Sequence, residues 1–184
     1  MLIDCTQSTP ILNLIEKLTQ EQNIKLKAIL LTHGHVDHIC GTYTISKKFN
    51  ITPLMNQQDQ IQLKISEQIY QQYGFTEFNL FEYQHIENGK IKIDQIDIEV
   101  IHTPGHTQGS LCFLIDNILF SGDTIFKNSI GRTDLIGGCL ETLLNSIKEK
   151  ILKLPEQTII LPGHGPITTL KEELKSNPFI INPI

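Results

Sequence analysis

Apolar positions change their spacing twice along the chain, and the changes divide it into three stretches. In the first, "STPILNLIEKLTQEQ" places Ile11, Leu14, Ile15 and Leu18 at helical spacing, with Ser8 or Thr9 to cap and Pro10 as the first helical residue. The run Leu26–Leu31 reads as a buried strand, "DHICGTYTISKKF" as a helix, and 57–73 as a second helix with Ile61, Ile65 and Ile69 on one face and Gly74 as its stop. In the middle stretch the period shortens. "KIKI", "IDIEVIHT", "SLCFLI" and "NILFSGD" are short β-branched segments bounded by Gly, Pro, Asn or Asp, and they predict successive strands. The third stretch returns to helix in "GGCLETLLNSIKEKILKLP", with a stripe of Leu140, Leu143, Leu144, Ile147 and Ile151. One strand, "QTIILPGHG", and a short helix, "TTLKEELKS", complete it. Helices before and after a block of strands predict a layered α/β sandwich rather than a strictly alternating parallel sheet.

Against this apolar frame one polar cluster stands out. "THGHVDH" holds His33, His35, Asp37 and His38 directly after the first predicted strand. On an extended chain, residues two apart point the same way, so His33 and His35 can grip one ion. Asp37 and His38 leave in another direction as the chain turns into helix. Four such groups suit two adjacent ions better than one, and two-metal sites hold their ions about 3.5–4 Å apart. Three more polar residues close strands beside glycines: His106 in "TPGHT", Asp123 in "FSGDT" and His164 in "LPGHG". His106 and His164 stand in matching Pro-Gly turns, a weak internal repeat.

Five imidazoles and two carboxylates give three ligands for each of two ions, plus one carboxylate to bridge them. Two divalent ions carry +4, the aspartates supply −2, and a bridging hydroxide leaves about +1 on the site. Metal binding can lower the pKa of water from 15.7 to about 7, so such a centre holds hydroxide near neutral pH and stabilises an oxyanion. A thiolate-rich site would suit structural zinc instead. The carboxylates therefore point to hydrolysis, with Asp37 and Asp123 as the acidic members of the machinery. His102 reads as a packed histidine supporting the site, His85 as a surface residue, and Cys40 as a small buried residue on a helix.

Composition narrows the partners. The chain has 184 residues, a formal net charge of −5 and no basic run longer than Lys47-Lys48, which disfavours a nucleic-acid backbone. Its four cysteines are scattered without a C-x-x-C pair and predict reduced thiols in the cytoplasm. No apolar stretch reaches membrane-spanning length, and the N-terminus lacks a signal-peptide pattern. No G-x-S-x-G elbow marks a serine hydrolase.

Taken together, "THGHVDHICG", "HTPGHTQGS", "LFSGDTIF", "SIGRTDLIGG", "LPGHGPITTL" and "EELKSNPFI" resemble the metallo-β-lactamase superfamily, and within it the short glyoxalase II-like hydrolases. The resemblance covers nearly the whole chain. It implies one domain over 1–184, an αββα four-layer sandwich with metals at one edge of the sheets. His33, His35 and His106 would hold the first ion, Asp37, His38 and His164 the second, and Asp123 would bridge. Zinc is the first expectation for both ions, with iron or manganese as alternatives. The implied reaction is hydrolysis of an acyl thioester such as S-lactoylglutathione by the bridging hydroxide. "GRTD" at 131–134 carries two readings: Arg132 and Asp134 brace a loop, or Arg132 meets an anionic substrate. There are departures from the family pattern. The sequence starts at the segment matching "LIDCTQ", with Cys5-Thr6 where relatives have Pro-Gly, and has twenty residues after His164. The expectation is therefore a sandwich without its first N-terminal strands and without the C-terminal helical domain that helps hold glutathione. The rival readings are a mononuclear iron persulfide dioxygenase using His33, His106 and Asp123, and a non-catalytic remnant.

Overall fold

Asp4, His33 and Asp59 each lie within four residues of the end of a short strand, and the first half of the chain is built to bring such strand ends side by side. The computed structural model describes residues 1–181. Its contacts separate into two units, Met1–Ile86 and the chain from Glu87 onward.

The first unit runs β1 (Leu2–Ile3), α1 (Ser8–Gln22), β2 (Ile29–Leu30), α2 (Val36–Ile39), α3 (Thr42–Phe49), β3 (Leu54–Met55), α4 (Gln60–Ile69) and β4 (Gln84–His85). All four strands pair in parallel in the order β1-β2-β3-β4. Parallel neighbours need long crossovers, and helices fill each of them here. The expected single strand is thus one of four in an alternating sheet. Its companions escape a periodicity reading because each is two residues long. Cys5, Ile29, Leu31, Ile39, Ile45 and Met55 form the core, with Ile11, Leu12 and Ile15 of α1 against it.

Four helical expectations need correction. Leu14 is exposed, and Leu12 takes the core position beside Ile11 and Ile15. Ser8 does not cap α1: its amide and hydroxyl donate to Glu77 Oε1 and Oε2 at 2.6 and 2.8 Å, so a distant carboxylate satisfies the helix start. The 57–73 helix is α4 flanked by 3-10 turns, and Gly74 stops it in the left-handed region. Its buried face, however, is Gln62, Leu63 and Ser66, while Ile61 is exposed. The helix predicted across 37–49 is also broken, at Cys40-Gly41. A Cβ on Gly41 would lie 2.1 Å from the Thr6 carbonyl oxygen, so only glycine lets the β1 exit pass there.

The second unit runs β5 (Gly89–Ile93), β6 (Ile96–His102), β7 (Leu111–Ile115), β8 (Ile118–Gly122), β9 (Ile125–Phe126), β10 (Ser129–Ile130), α5 (Leu140–Lys150), β11 (Ile159–Pro162), β12 (Thr168–Thr169), α6 (Leu170–Ser176) and α7 (Pro178–Ile181). The four strands expected in the middle stretch are β5 to β8. Six strands pair in the order β12-β11-β8-β7-β6-β5, antiparallel except for β11 on β8, and β9–β10 is a separate hairpin. Leu143, Ile147 and Ile151 seal the core with Ile101, Cys112, Leu119 and Ile160, while Leu140 stays exposed.

This pairing decides where the polar strand ends go. β6 and β8 each run against β7, and β11 runs with β8. All three therefore point the same way, and their carboxyl ends, carrying His106, Asp123 and His164, open at one edge of the sheet. Glu173, fully buried, accepts from Thr168 Oγ1 (2.6 Å), the Asn128 amide (2.8 Å) and Asn177 Nδ2 (2.8 Å). Asn177 also donates to the Ser129 carbonyl (3.0 Å), so α6 pins the β9–β10 hairpin. Among the described residues no helix is long and apolar enough to cross a membrane.

Candidate metal centre

A histidine that binds a metal through Nε2 must carry its proton on Nδ1, and something must hold that proton. In the first unit, His38 Nδ1 lies 2.7 Å from Asp4 Oδ2. A carboxylate only accepts, so Nδ1 donates and Nε2 carries the lone pair. The same Asp4, at φ 59°, also receives the Thr32 amide (2.7 Å) and the Thr32 hydroxyl (2.8 Å). The single hydroxyl proton of Thr32 is thereby committed to Asp4. Its oxygen, 3.0 Å from His33 Nδ1, accepts from that ring and fixes His33 in the same tautomer.

His33 and His38 are buried, and their ring centroids are 4.1 Å apart, with His35 4.8 Å from His33. Asp37 is more exposed, and its Oδ2 lies 3.6 Å from His38 Nε2. The peptide between His33 and His35 is held from below: the Gly34 amide donates to buried Asp59 (2.7 Å), and Ser66 donates to the Gly34 carbonyl (2.9 Å). That explains the polar inner face of α4, where Gln62 and Ser66 lie under this loop. A Cβ on Gly34 would come within 2.8 Å of the Gln62 Cβ.

In the second unit, buried His106 donates Nδ1–H to the Arg132 carbonyl at 2.8 Å. Its Nε2 lies 3.5 Å from Asp123 Oδ2, and exposed His164 presents Nε2 3.6 Å from the same oxygen. These separations exceed a good hydrogen bond. They match two donors that share an ion: ligands at about 2.0–2.1 Å in a tetrahedral shell lie about 3.4 Å apart. The His38–Asp37 spacing fits the same rule. One carboxylate oxygen facing two imidazole nitrogens is the arrangement a bridging ligand requires. Imidazole and carboxylate donors with fixed tautomers therefore fit borderline divalent ions such as Zn, Fe or Mn.

The remaining sequence expectations fall as follows. His85 is exposed on β4, its Nδ1 accepting from the Gln57 amide (3.1 Å). His102 is half-buried and its Nε2 meets the Gln108 carbonyl (2.8 Å), which supports the turn carrying His106. Cys40 is buried at the end of α2, and burial raises its thiol to about 11. Arg132 and Asp134 form a two-point fork at 2.7 Å each, the pairing that the bracing interpretation requires. Sequence reasoning missed Asp4, Thr32, Asp59 and Gly131. Asp4 had a faint signal, since "LID" places an acid after an apolar segment as "ILFSGD" does.

Comparison with known proteins agrees with this geometry. The Metallo-beta-lactamase superfamily model matches residues 1–164. The hydroxyacylglutathione hydrolase GloC of Haemophilus influenzae is 35% identical over 91% of this chain and 81% of its own length. The crystal structure of BLEG-1, a B3 metallo-β-lactamase, superposes with a TM-score of 0.85 at 36% identity, covering 97% of this chain and 87% of its own. TTHA1623, solved in a di-iron-bound form, gives 0.84 at 31% identity, covering 96% and 87%. With its histidines and aspartates at the carboxyl ends of strands and its rings fixed for coordination, the chain belongs to the metallo-β-lactamase superfamily.

Proposed function

We propose that the chain is a dinuclear metal-dependent hydrolase of small acyl thioesters of the S-lactoylglutathione type. The observation that carries this reading is Asp123 Oδ2, 3.5 Å from His106 Nε2 and 3.6 Å from His164 Nε2. In the family pattern, His33, His35 and His106 would hold one ion, Asp37, His38 and His164 the other, and Asp123 would bridge. Zinc suits these donors, and iron is supported by the di-iron form of a relative. When bound, such a pair supplies hydroxide near neutral pH and a Lewis-acid contact for the carbonyl oxygen.

The protein's own residues supply orientation and charge. Asp4 and Thr32 hold His38 and His33, and the Arg132 carbonyl holds His106, so these three rings are set before a ligand arrives. Asp37 and Asp123 keep the net charge of the loaded centre low but positive, which favours an anionic tetrahedral state. The leaving group is a thiolate whose parent pKa is about 8.5, so its expulsion needs no strong acid. The choice of a glutathione thioester rests on the similarity to GloC. Cytoplasmic action is supported by four free cysteines, three of them buried.

The test is the loss of thioester absorbance when S-lactoylglutathione meets the zinc- or iron-loaded protein, before and after chelation. Chelator-sensitive hydrolysis with two ions per chain is the expected outcome. Oxygen uptake on glutathione persulfide without thioester loss would instead establish the single-iron dioxygenase.

A further inference from the structure

The segment 131–139 touches the candidate metal centre at several points, yet none of its side chains belongs to the ligand set. It starts on Asp123: a Cβ on Gly131 would lie 1.8 Å from the Asp123 carbonyl oxygen and 3.2 Å from His106 Nδ1. Its second residue, Arg132, turns its carbonyl onto His106 Nδ1 at 2.8 Å. Further along, the Gly137 carbonyl receives Gln108 Nε2 (2.7 Å), and the Cys139 amide donates to the Gly105 carbonyl (2.8 Å). The segment thus leaves one ligand, crosses the second and ends on the turn that carries the second. Gly138 packs it on itself, because a Cβ there would lie 2.4 Å from the Thr133 carbonyl oxygen. Within this path the Arg132 guanidinium grips Asp134 at two points, Nε to Oδ1 and Nη2 to Oδ2, both 2.7 Å.

We propose that 131–139 is a positioning strap for His106, and that the Arg132–Asp134 fork shapes it so that the Arg132 carbonyl stays aimed at Nδ1. Arg132 is then a positioning residue that acts through its own main chain and not a substrate anchor. The chemistry requires this kind of part. A ring rotated by tens of degrees, or held in the other tautomer, no longer offers Nε2 beside Asp123, and partners that orient metal-binding histidines typically change metal affinity 10–100-fold. The fork to Asp134 occupies the Nε and Nη2 edge of the guanidinium, so an incoming anion can take that edge only by displacing Asp134.

This inference rests on the metal-centre reading, and the experiment separates the two. Arg132→Ala, Asp134→Ala and the double variant are made; both side chains are mostly exposed, so the folded chain is retained, which circular dichroism checks. Cobalt(II) titration reads affinity through visible absorption. Long-range proton–nitrogen NMR of the zinc-loaded protein reads the His106 Nδ1–H. Each single variant is expected to weaken one of the two cobalt sites about tenfold and shift the His106 signal. The double variant is expected to be no worse than either single, because the two side chains act as one unit. KM for the thioester should stay within about twofold. Unchanged cobalt affinity and His106 signal in both singles would overturn the strap. So would a higher KM in Arg132→Ala together with a lower KM in Asp134→Ala, the signature of a substrate anchor. Failure of the parent protein to take up cobalt would overturn the metal-centre reading and the strap with it.

Discussion

A proton on Nδ1 is the property that His33, His38 and His106 share, and each owes it to a different acceptor: a hydroxyl, a carboxylate and a main-chain carbonyl. Asp4 carries the most weight, because it fixes His38 directly and His33 through Thr32. Asp4→Asn keeps the shape and loses the charge. We expect it to weaken binding at the His38 ion 10–100-fold with little change in melting temperature, measured by zinc competition. His33, His35, Asp37 and His38 were legible as candidates because their spacing has no packing explanation, and His106, Asp123 and His164 because each closes a predicted strand beside glycines. Asp4 was not, since its partners lie 28 and 34 residues away and meet it only through the pairing of β1 with β2. The cysteines also differ residue by residue. Burial raises Cys5, and it lifts Cys40 and Cys112 to about 11, whereas the Thr142 hydroxyl and amide lower half-buried Cys139. At pH 7.5 the thiolate fraction, and so the alkylation rate, should be highest at Cys139. Mass spectrometry of a timed iodoacetamide reaction should find that site modified first, and prior labelling of Cys112 would contradict the assigned burial.

At the scale of elements, α5 and the turn before His106 form one unit. Gly105 sits at φ 133°, and a Cβ there would lie 2.3 Å from the Leu143 amide nitrogen. The Cys139 amide bonds the Gly105 carbonyl, and Ser146 Oγ bonds the Pro104 carbonyl at 2.7 Å. Gly105→Ala must therefore push the helix away or distort the turn, at a cost of about 1–3 kcal/mol. A lower thermal midpoint, together with loss of cobalt absorbance, is the expected result. A variant that melts like the parent would mean that α5 yields freely. The strands β5 to β8 were readable because each is a run of five to seven residues rich in β-branched and apolar side chains and bounded by Gly, Pro, Asn or Asp. Element faces were harder. The inner face of α4 is chosen by the loop it supports rather than by hydrophobicity, which is why Gln62 and Ser66 are buried and Ile61 is exposed. The break between α2 and α3 was hidden too, since it depends on where the Thr6 carbonyl passes.

For the whole molecule, the mixed α/β class followed from the order of helical and strand periods, and the family from its combined motifs. Sheet order did not follow, because two-residue strands have no period to detect. Each unit places its candidate ligands at strand carboxyl ends, so metal loading should stabilise the folded chain as any ligand does that binds it alone. At a free ion concentration 100 times Kd the gain is about 2.7 kcal/mol, which for a chain of this size corresponds to a rise of about 5–10 °C. Differential scanning calorimetry with zinc and then with excess chelator should show that difference. Coincident midpoints would mean that the ligands bind no zinc.

The buried Glu173 has a consequence for how errors in the gene would be felt. It lies nine residues beyond the last candidate ligand, His164, yet it secures the hairpin from which the strap at 131 begins. A premature stop or a proteolytic nick just after 165 would spare every candidate ligand and still unfasten the hairpin. The segment beyond His164 is thus the clasp of the hairpin, and a chain cut there keeps its candidate ligands while losing what steadies the start of the strap.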